Sequence, residues 1–575
     1  MKFFTAVVAL AGWLTQLAAQ STLKESCDSP IYCQGELLHD VQMASLYSDS
    51  KYFVDLKLRN SEREVLAAFE SLKVKYNRTI PKDELRKFVD QYFVDCPTDP
   101  TCKELEMWVP PDWKQHPSIL DRISDRGYRD WANDMNGIWK NLSRKMSTTV
   151  LRDKSMTSLI YLPNGFVIPG GRFKEMYYWD NYWIIKGLLQ CDMFDTVKGV
   201  IENFFDLVKK IGHIPNGSRV YYKQRSQPPM LAFMVDAYVR ASRDEGFINR
   251  KTLAILDKEL QYFIKNRQVT VTKNNTTFQL YRYYAPSLGP RPESYREDYI
   301  LAETLSDEEK TKLYINIKSA AESGWDFSSR WFIGEKGTNR GTLADIKTEY
   351  IIPVDLNALL FGCFELMAKW SQYLGNFEKY WLYRFKAIEV ATGIEKVLWN
   401  KKDGIWYDYD NLNRKPREYF YSSNFAPLWT GAYTFDRRDL SRYIINYIFK
   451  TGIHKFLGGT PQSLFDTGEQ WDYPNAWAPN QAILIQGLQR LGTREAEEMA
   501  ANLAAKWVYT NYRGFQTEGK MFEKYNAEKV GVGGGGGEYE AQEGFGWTNG
   551  LIFELLDYYG RYFKSTNMNR RSKPF

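Results

Sequence analysis

Residues 197–212 read VKGVIENFFDLVKKIG, and their apolar side chains recur at three- and four-residue spacing until Gly212 supplies a stop. That period predicts an amphipathic helix. The same pattern returns at 230–243, 356–375, 380–399, 481–492 and 493–512, whereas strand-like alternation is scarce, so the chain reads as all-α. Long loops separate the helices, among them HIPNGSRVYYKQRSQPP, YAPSLGPRPESYRED, ESGWDFSSRW, GEQWDYPNAWAP and KVGVGGGGGEYEAQEGFGW. Loops of this length in a compact protein are usually functional or disordered. Their Trp, Tyr, Arg and carboxylate content favours packing and recognition over disorder. Paired helices alternating with such loops predict a toroid with the loops gathered around a pocket at one end. No Ser/Gly-rich or charged linker divides the chain, and residues 20–150 are expected to form an N-terminal arm packed on the toroid.

The two ends bear on location. Lys2 precedes an apolar run from Phe3 to Leu14, followed by Leu17-Ala18-Ala19 before Gln20, the pattern of a secretory signal peptide over residues 1–19. That run is too short to span a bilayer well, no later segment reaches about 18 consecutive apolar residues, and the basic tail, 565–575, is polar. A secreted, soluble protein without a stable membrane anchor is expected. Cys27/Cys33 and Cys96/Cys102 form two close pairs, consistent with two local disulfides, although pairing across the clusters fits equally well. Cys191 and Cys363 stand alone. Sequons begin at Asn77, Asn141, Asn216, Asn274 and Asn275.

Several chemistries lack their residues. The net charge of +6 is small for 575 residues and no long basic stripe is present, so a nucleic-acid partner is not expected. The four histidines, His39, His116, His213 and His454, show no metal-ligand spacing. No G-x-S-x-G elbow occurs, and GVGGGG at 531–536 satisfies a dinucleotide fingerprint in letters only, since no helical pattern follows it. The loops instead offer Asp180, Glu293, Asp326, Asp472, Glu523, Glu538 and Glu543 beside Arg172, Arg225 and Arg291 and the rings of Trp179, Trp325, Trp471, Trp477 and Trp547. Carboxyl groups can donate and accept protons unaided, rings stack on sugar C–H faces, and arginines bond hydroxyls. The set suits glycoside hydrolysis, in which one carboxylic acid protonates the leaving oxygen and a second carboxylate attacks or activates water.

At this point the chain resembles the trehalases of the inverting glycoside hydrolase type. PGGRFKEMYYWDNYW (169–183) and QWDYPNAWAP (470–479) look like the two diagnostic segments, and NGSRVYYKQRSQPP, GPRPESYRED, ESGWDFSSRW, MFEKYN and GGGGGEYEAQEGFGWTNG continue the likeness in order, over roughly residues 30–560. CDSPIYCQGELL and the N-terminal leader are most similar to animal secreted forms. Many members have Gly before the tryptophan of the second segment, where this chain has Ala476. The resemblance implies an (α/α)6 barrel that hydrolyses α,α-trehalose to two glucose molecules with inversion and needs no metal or organic cofactor. By motif, Asp326 would be the general acid and Glu523 the general base. Arg172, Trp179, Asp180, Asn216, Arg225, Ser226, Gln227, Arg291, Pro292, Glu293, Gly324 and Glu538 would hold the disaccharide. Sequence chemistry alone favours Glu538, in its conspicuous glycine run, as the base; Glu523 is chosen on the resemblance. Asn216 is both sequon and proposed sugar contact, so it is expected to be unmodified. Another (α/α)6 glycosidase for a small α-glucoside, or a secreted sugar-binding protein without turnover, are the alternative readings. Oligomeric state is left open.

Overall fold

The computed structural model describes residues 23–566. The predicted leader, 1–19, lies outside them, as do residues 567–575 of the basic tail. Helices dominate, and every sheet among the described residues has two or three short strands. The predicted segments all form helices: Phe194–Ile211, Leu231–Ser242, Val354–Tyr373, Phe377–Gly393, Ala478–Leu491 and Arg494–Glu518. Gly212 ends the first of these in the left-handed conformation that its lack of a Cβ permits.

Neighbour relations close a ring. The helix Asp180–Gln190 packs on Leu231–Ser242, which packs on Val354–Tyr373, and the circuit continues through the short Ala426–Thr430, Ala478–Leu491 and Gly546–Tyr559 back to Asp180–Gln190. A second set lies outside: Arg126–Leu142, Phe194–Ile211, Arg250–Arg267, Phe377–Gly393, Arg437–Thr451 and Arg494–Glu518. Six inner and six outer helices make an (α/α)6 barrel. Burial separates the layers for a simple reason: inner helices have protein on every side. In Ala478–Leu491 eleven of fourteen residues are buried, against eleven of twenty-five in the outer Arg494–Glu518, which keeps a polar face for water.

Ring closure depends on two glycines. A Cβ on Gly550 would lie 1.9 Å from the Trp183 carbonyl oxygen, and one on Gly187 would lie 2.6 Å from the Gly550 Cα. The first and last inner helices therefore meet backbone to backbone, an approach no larger residue allows.

The segment expected as an N-terminal arm, 20–150, divides: Arg126–Leu142 belongs to the barrel's outer layer, whereas the part before it builds a smaller apolar cluster from residues such as Ile31, Leu38, Phe53, Val54 and Phe88, which Tyr177, Tyr221 and Tyr222 of the barrel loops join. A buried ionic network spans the two: the Lys51 ammonium contacts Glu175 at 2.9 Å, and Arg219 reaches Glu175 at 3.0 Å and Asp55 at 3.2 Å. The disulfides are the local ones, Cys27–Cys33 and Cys96–Cys102, and the alternative across the clusters does not occur; Cys191 and Cys363 are buried thiols. Asn77, Asn141, Asn274 and Asn275 are exposed, whereas Asn216 is buried. None of the described helices is long and apolar enough to cross a membrane.

Candidate active site

The long loops converge at one end of the barrel around a recess of about 650 Å³ that is partly open to solvent. Asp326 and Glu523 both line it, together with Arg172, Trp179, Asp180, Asn216, Arg225, Gln227, Arg291, Glu293, Gly324 and Glu538. Ser226 and Pro292, also expected among the sugar contacts, do not. The Ser226 amide donates to Glu322 Oε1 at 2.9 Å and its hydroxyl to the Ile214 carbonyl at 2.7 Å, so both polar groups are used in holding the loop. Pro292 starts a single buried helical turn and presents its carbonyl to Gln42.

Each functional side chain has an identifiable support. Trp179 and Asp180 sit at the start of the first inner helix, and the Trp179 amide donates to Gln227 Oε1 at 3.0 Å. Trp179 meets Trp183, Trp471 and Trp547 at centroid distances of 5.5–5.8 Å, and Trp471 stacks on Trp477 at 4.0 Å. Trp179, Trp471, Trp477 and Trp547 form an apolar wall of the recess, with Trp183 packed behind Trp179. Arg172 forms a bidentate pair with Asp49 of the N-terminal segment (2.8 and 2.6 Å) and lies over the Tyr539 ring. Arg225 pairs with Glu293 in a buried contact. Arg291 bonds Asp298 at 2.6 Å and Glu538 at 2.7 Å. The planar guanidinium suits such forked pairing.

The two candidate bases differ in surroundings. Glu538 has one oxygen on Arg291 and the other accepting from the Ser294 hydroxyl at 3.1 Å, and its side chain is 24% exposed. Glu523 is only 2% exposed. Its carboxylate accepts from the Tyr539 hydroxyl at 3.0 Å and the Gln542 amide at 3.2 Å. Its backbone is fixed on both sides, by the Gln542 carbonyl at 2.9 Å and the Trp547 indole N–H at 3.0 Å.

Burial dominates the electrostatics. It pushes the Asp326 carboxyl up to about 7, with Glu538 adding to the rise and Arg291 opposing it. Asp180 is pushed to about 8 by burial and by the negative charges of Glu523 and Asp326. Burial also raises Glu523, against the pull of Lys524, the Gln542 amide and Tyr539. Glu293 goes the other way: burial disfavours its anion, but Arg225 and Arg291 together outweigh that and hold it below the usual range. Carboxyls poised to carry a proton near neutrality thus share one recess with a carboxylate held charged.

Tyr539, Gln542 and Asp49 escaped the sequence reading. Tyr539 had a signal, being one residue beyond Glu538. Asp49 had none, because it lies 123 residues from its partner Arg172.

A family model described as trehalase matches residues 45–560. The chain is 45% identical to the trehalase of Bombyx mori over 562 residues, covering 97% of this chain and 95% of that one. It is also 45% identical to the human trehalase over 546 residues, covering 95% and 92%. Among solved structures it is similar to the neutral trehalase of Saccharomyces cerevisiae, with a TM-score of 0.54 at 23% identity over 69% of this chain and 74% of the other, a likeness of fold. By the family match, by near full-length identity to curated relatives and by a shared helical barrel, this chain belongs to the trehalase family of glycoside hydrolases.

Proposed function

We propose that the recess hydrolyses α,α-trehalose to two glucose molecules in one displacement with inversion. The observation that carries this is the meeting of Asp326, its proton retained by burial up to about pH 7, with the doubly hydrogen-bonded Glu523 carboxylate in one recess walled by indoles and arginines. Asp326 donates its proton to the glycosidic oxygen as the bond to the anomeric carbon breaks. Glu523 takes a proton from the water whose oxygen forms the new bond to that carbon. An inverting pair leaves room for that water, with carboxyls typically about 6.5–9.5 Å apart. Glu538, already engaged by Arg291 and Ser294, serves as a sugar ligand on the rim.

The remaining lining residues named above recognise the two rings, with Gly324 letting Trp179 and the sugar approach the backbone. The pair Asp49–Arg172 supports treating the N-terminal segment and barrel as one catalytic unit. Two disulfides and four exposed sequons support a secreted glycoprotein, released after residue 19 and carrying glycans at one or more of Asn77, Asn141, Asn274 and Asn275. Buried Asn216 is left unmodified, and a peptide map showing a glycan there in active protein contradicts this.

The deciding experiment records the anomers first released from trehalose. Inversion at one of two α-linked carbons yields equal α- and β-glucose. Release of α-glucose alone refutes the mechanism, and glucose from maltose or sucrose but not trehalose refutes the substrate.

A further inference from the structure

Beside Glu523 stands a lysine that the reaction scheme does not use. Lys524 opens the strand Lys524–Asn526, in register with Trp477 of the strand Asn475–Trp477, and its side chain is fully buried. Its ammonium donates to Gln470 Oε1 at 2.8 Å and to the Gly536 carbonyl at 3.2 Å, and it lies over the rings of Trp477 at 5.1 Å and Tyr539 at 5.7 Å. The negative charges that act on it, Glu523 and Asp326, do so across a gap rather than through a hydrogen bond. A buried ammonium without a contacting counter-ion is expensive, and an apolar side chain would pack as well on Trp477. The lysine is therefore there for its donors and its charge.

Gln470 shows where the donors lead. Its backbone carbonyl accepts from Asn475 Nδ2 at 3.0 Å and from the Trp477 indole at 2.9 Å, which fixes its place. Its side-chain amide receives the Lys524 ammonium at one end and donates to the Asp326 carbonyl at the other. Gly536, the second acceptor, belongs to the loop that brings Tyr539 to Glu523. Neither Lys524 nor Gln470 lines the recess. One ammonium thus joins the three segments carrying the acid, the base and the tyrosine that holds the base.

We infer that Lys524 is a positioning residue: through Gln470 it locks the backbone of Asp326 to the strand that carries Glu523, and its positive charge acts on both carboxyls from behind the wall of the recess. The inference rests on the acid and base roles proposed above. The charged and titratable groups that act on Glu523 are Lys524, Arg172, Tyr539 and Asp180, with Asp326 lining the same recess, and burial aside Lys524 exerts the strongest pull toward its anion.

Lys524→Met keeps the stem and removes donors and charge. Its kcat on trehalose is expected to fall at least 30-fold with KM within threefold of wild type, and the acid limb of kcat/KM against pH to move up by about one unit, since loss of a cation favours protonated Glu523. Gln470→Leu keeps the charge and cuts the bridge, so kcat falls while the acid limb stays in place. A Lys524→Met enzyme with wild-type kcat, or with its loss confined to KM, or with an unmoved limb, overturns the inference. If that variant does not fold, as judged by its thermal unfolding, Gln470→Leu decides: a wild-type kcat overturns the inference and a lowered kcat at unchanged KM upholds it. A wild-type protein that releases no glucose from trehalose refutes the acid–base reading itself, and with it this inference; wild-type activity with unaffected variants refutes the inference alone.

Discussion

A single methyl group placed on Gly324 would report on the whole active-site wall. Gly324 caps the helix Asp307–Ser323 with φ +77°, and a Cβ there would stand 2.6 Å from Cζ2 and 2.7 Å from Cε2 of Trp179. The left-handed backbone costs an L-residue about 1–2 kcal/mol. The clash adds about 1–3 kcal/mol, the usual penalty for overpacking a tight site. Trp179 cannot step aside freely, because Trp183, Trp471 and Trp547 surround it. Gly324→Ala is therefore expected to lose about 2–5 kcal/mol of stability in total. Any relief through the backbone moves Asp326, two residues on, and a shift of about 1 Å at a reacting group costs roughly 100-fold in rate. Gly492→Ala is the matched control: it too caps a helix at positive φ, +65°, but its Cβ would meet nothing within 4 Å. The two variants would be compared by urea unfolding and by initial rates of glucose release from trehalose. The control should lose only the backbone term and keep its activity. If Gly324→Ala matches Gly492→Ala in both stability and rate, the close approach of Trp179 does not constrain the site and the reasoning fails.

Further outcomes follow from the same geometry. Asp326→Asn and Glu523→Gln should each lower kcat by about 100- to 10,000-fold, the range of general acid–base assistance, while Asp326→Asn still binds trehalose in calorimetry; a rate within tenfold of wild type removes the residue from its role. An acid works only while protonated, so with Asp326 raised to about 7 by burial, kcat should fall tenfold per unit as pH rises beyond about 7; an alkaline limb below pH 5 contradicts that environment. Asp49→Ala leaves Arg172 without its forked partner, and because Asp49 is 37% exposed the loss is screened to roughly 1 kcal/mol. KM for trehalose should rise about fivefold with kcat nearly unchanged, and an unaltered KM would show that Asp49 does not hold Arg172 for the substrate.

Much was legible in the chain because local physics wrote it there. The 3.6-residue period placed the helices at 194–211 and 354–373 to within a few residues, since one apolar face must be buried whatever the helix packs against. Loop carboxylates beside arginines and indoles, with no metal-ligand histidine spacing and no G-x-S-x-G elbow, pointed to sugar chemistry, because proton transfer and ring stacking demand those groups in any fold. Other properties waited for tertiary structure. Close spacing made local disulfides possible, but only the folded chain selected Cys27–Cys33 and Cys96–Cys102 over the crossed alternative. Ser226 and Pro292 share motifs with residues that line the recess, yet they face inward to hold its loops, and a one-residue difference in direction cannot be read from spacing in irregular backbone. The difference between Glu523 and Glu538 is one of surroundings: burial beside Lys524 for the first, a partly buried ion pair with Arg291 at the rim for the second. The sequence by itself determined the helical class, the available chemistry and the resemblance that named the family. Only the tertiary structure decided which distant residues meet, Asp49 with Arg172 and Lys524 with the Asp326 loop through Gln470, because burial and pairing across more than a hundred residues exist only in the folded chain, whose ring shuts where Gly187 meets Gly550.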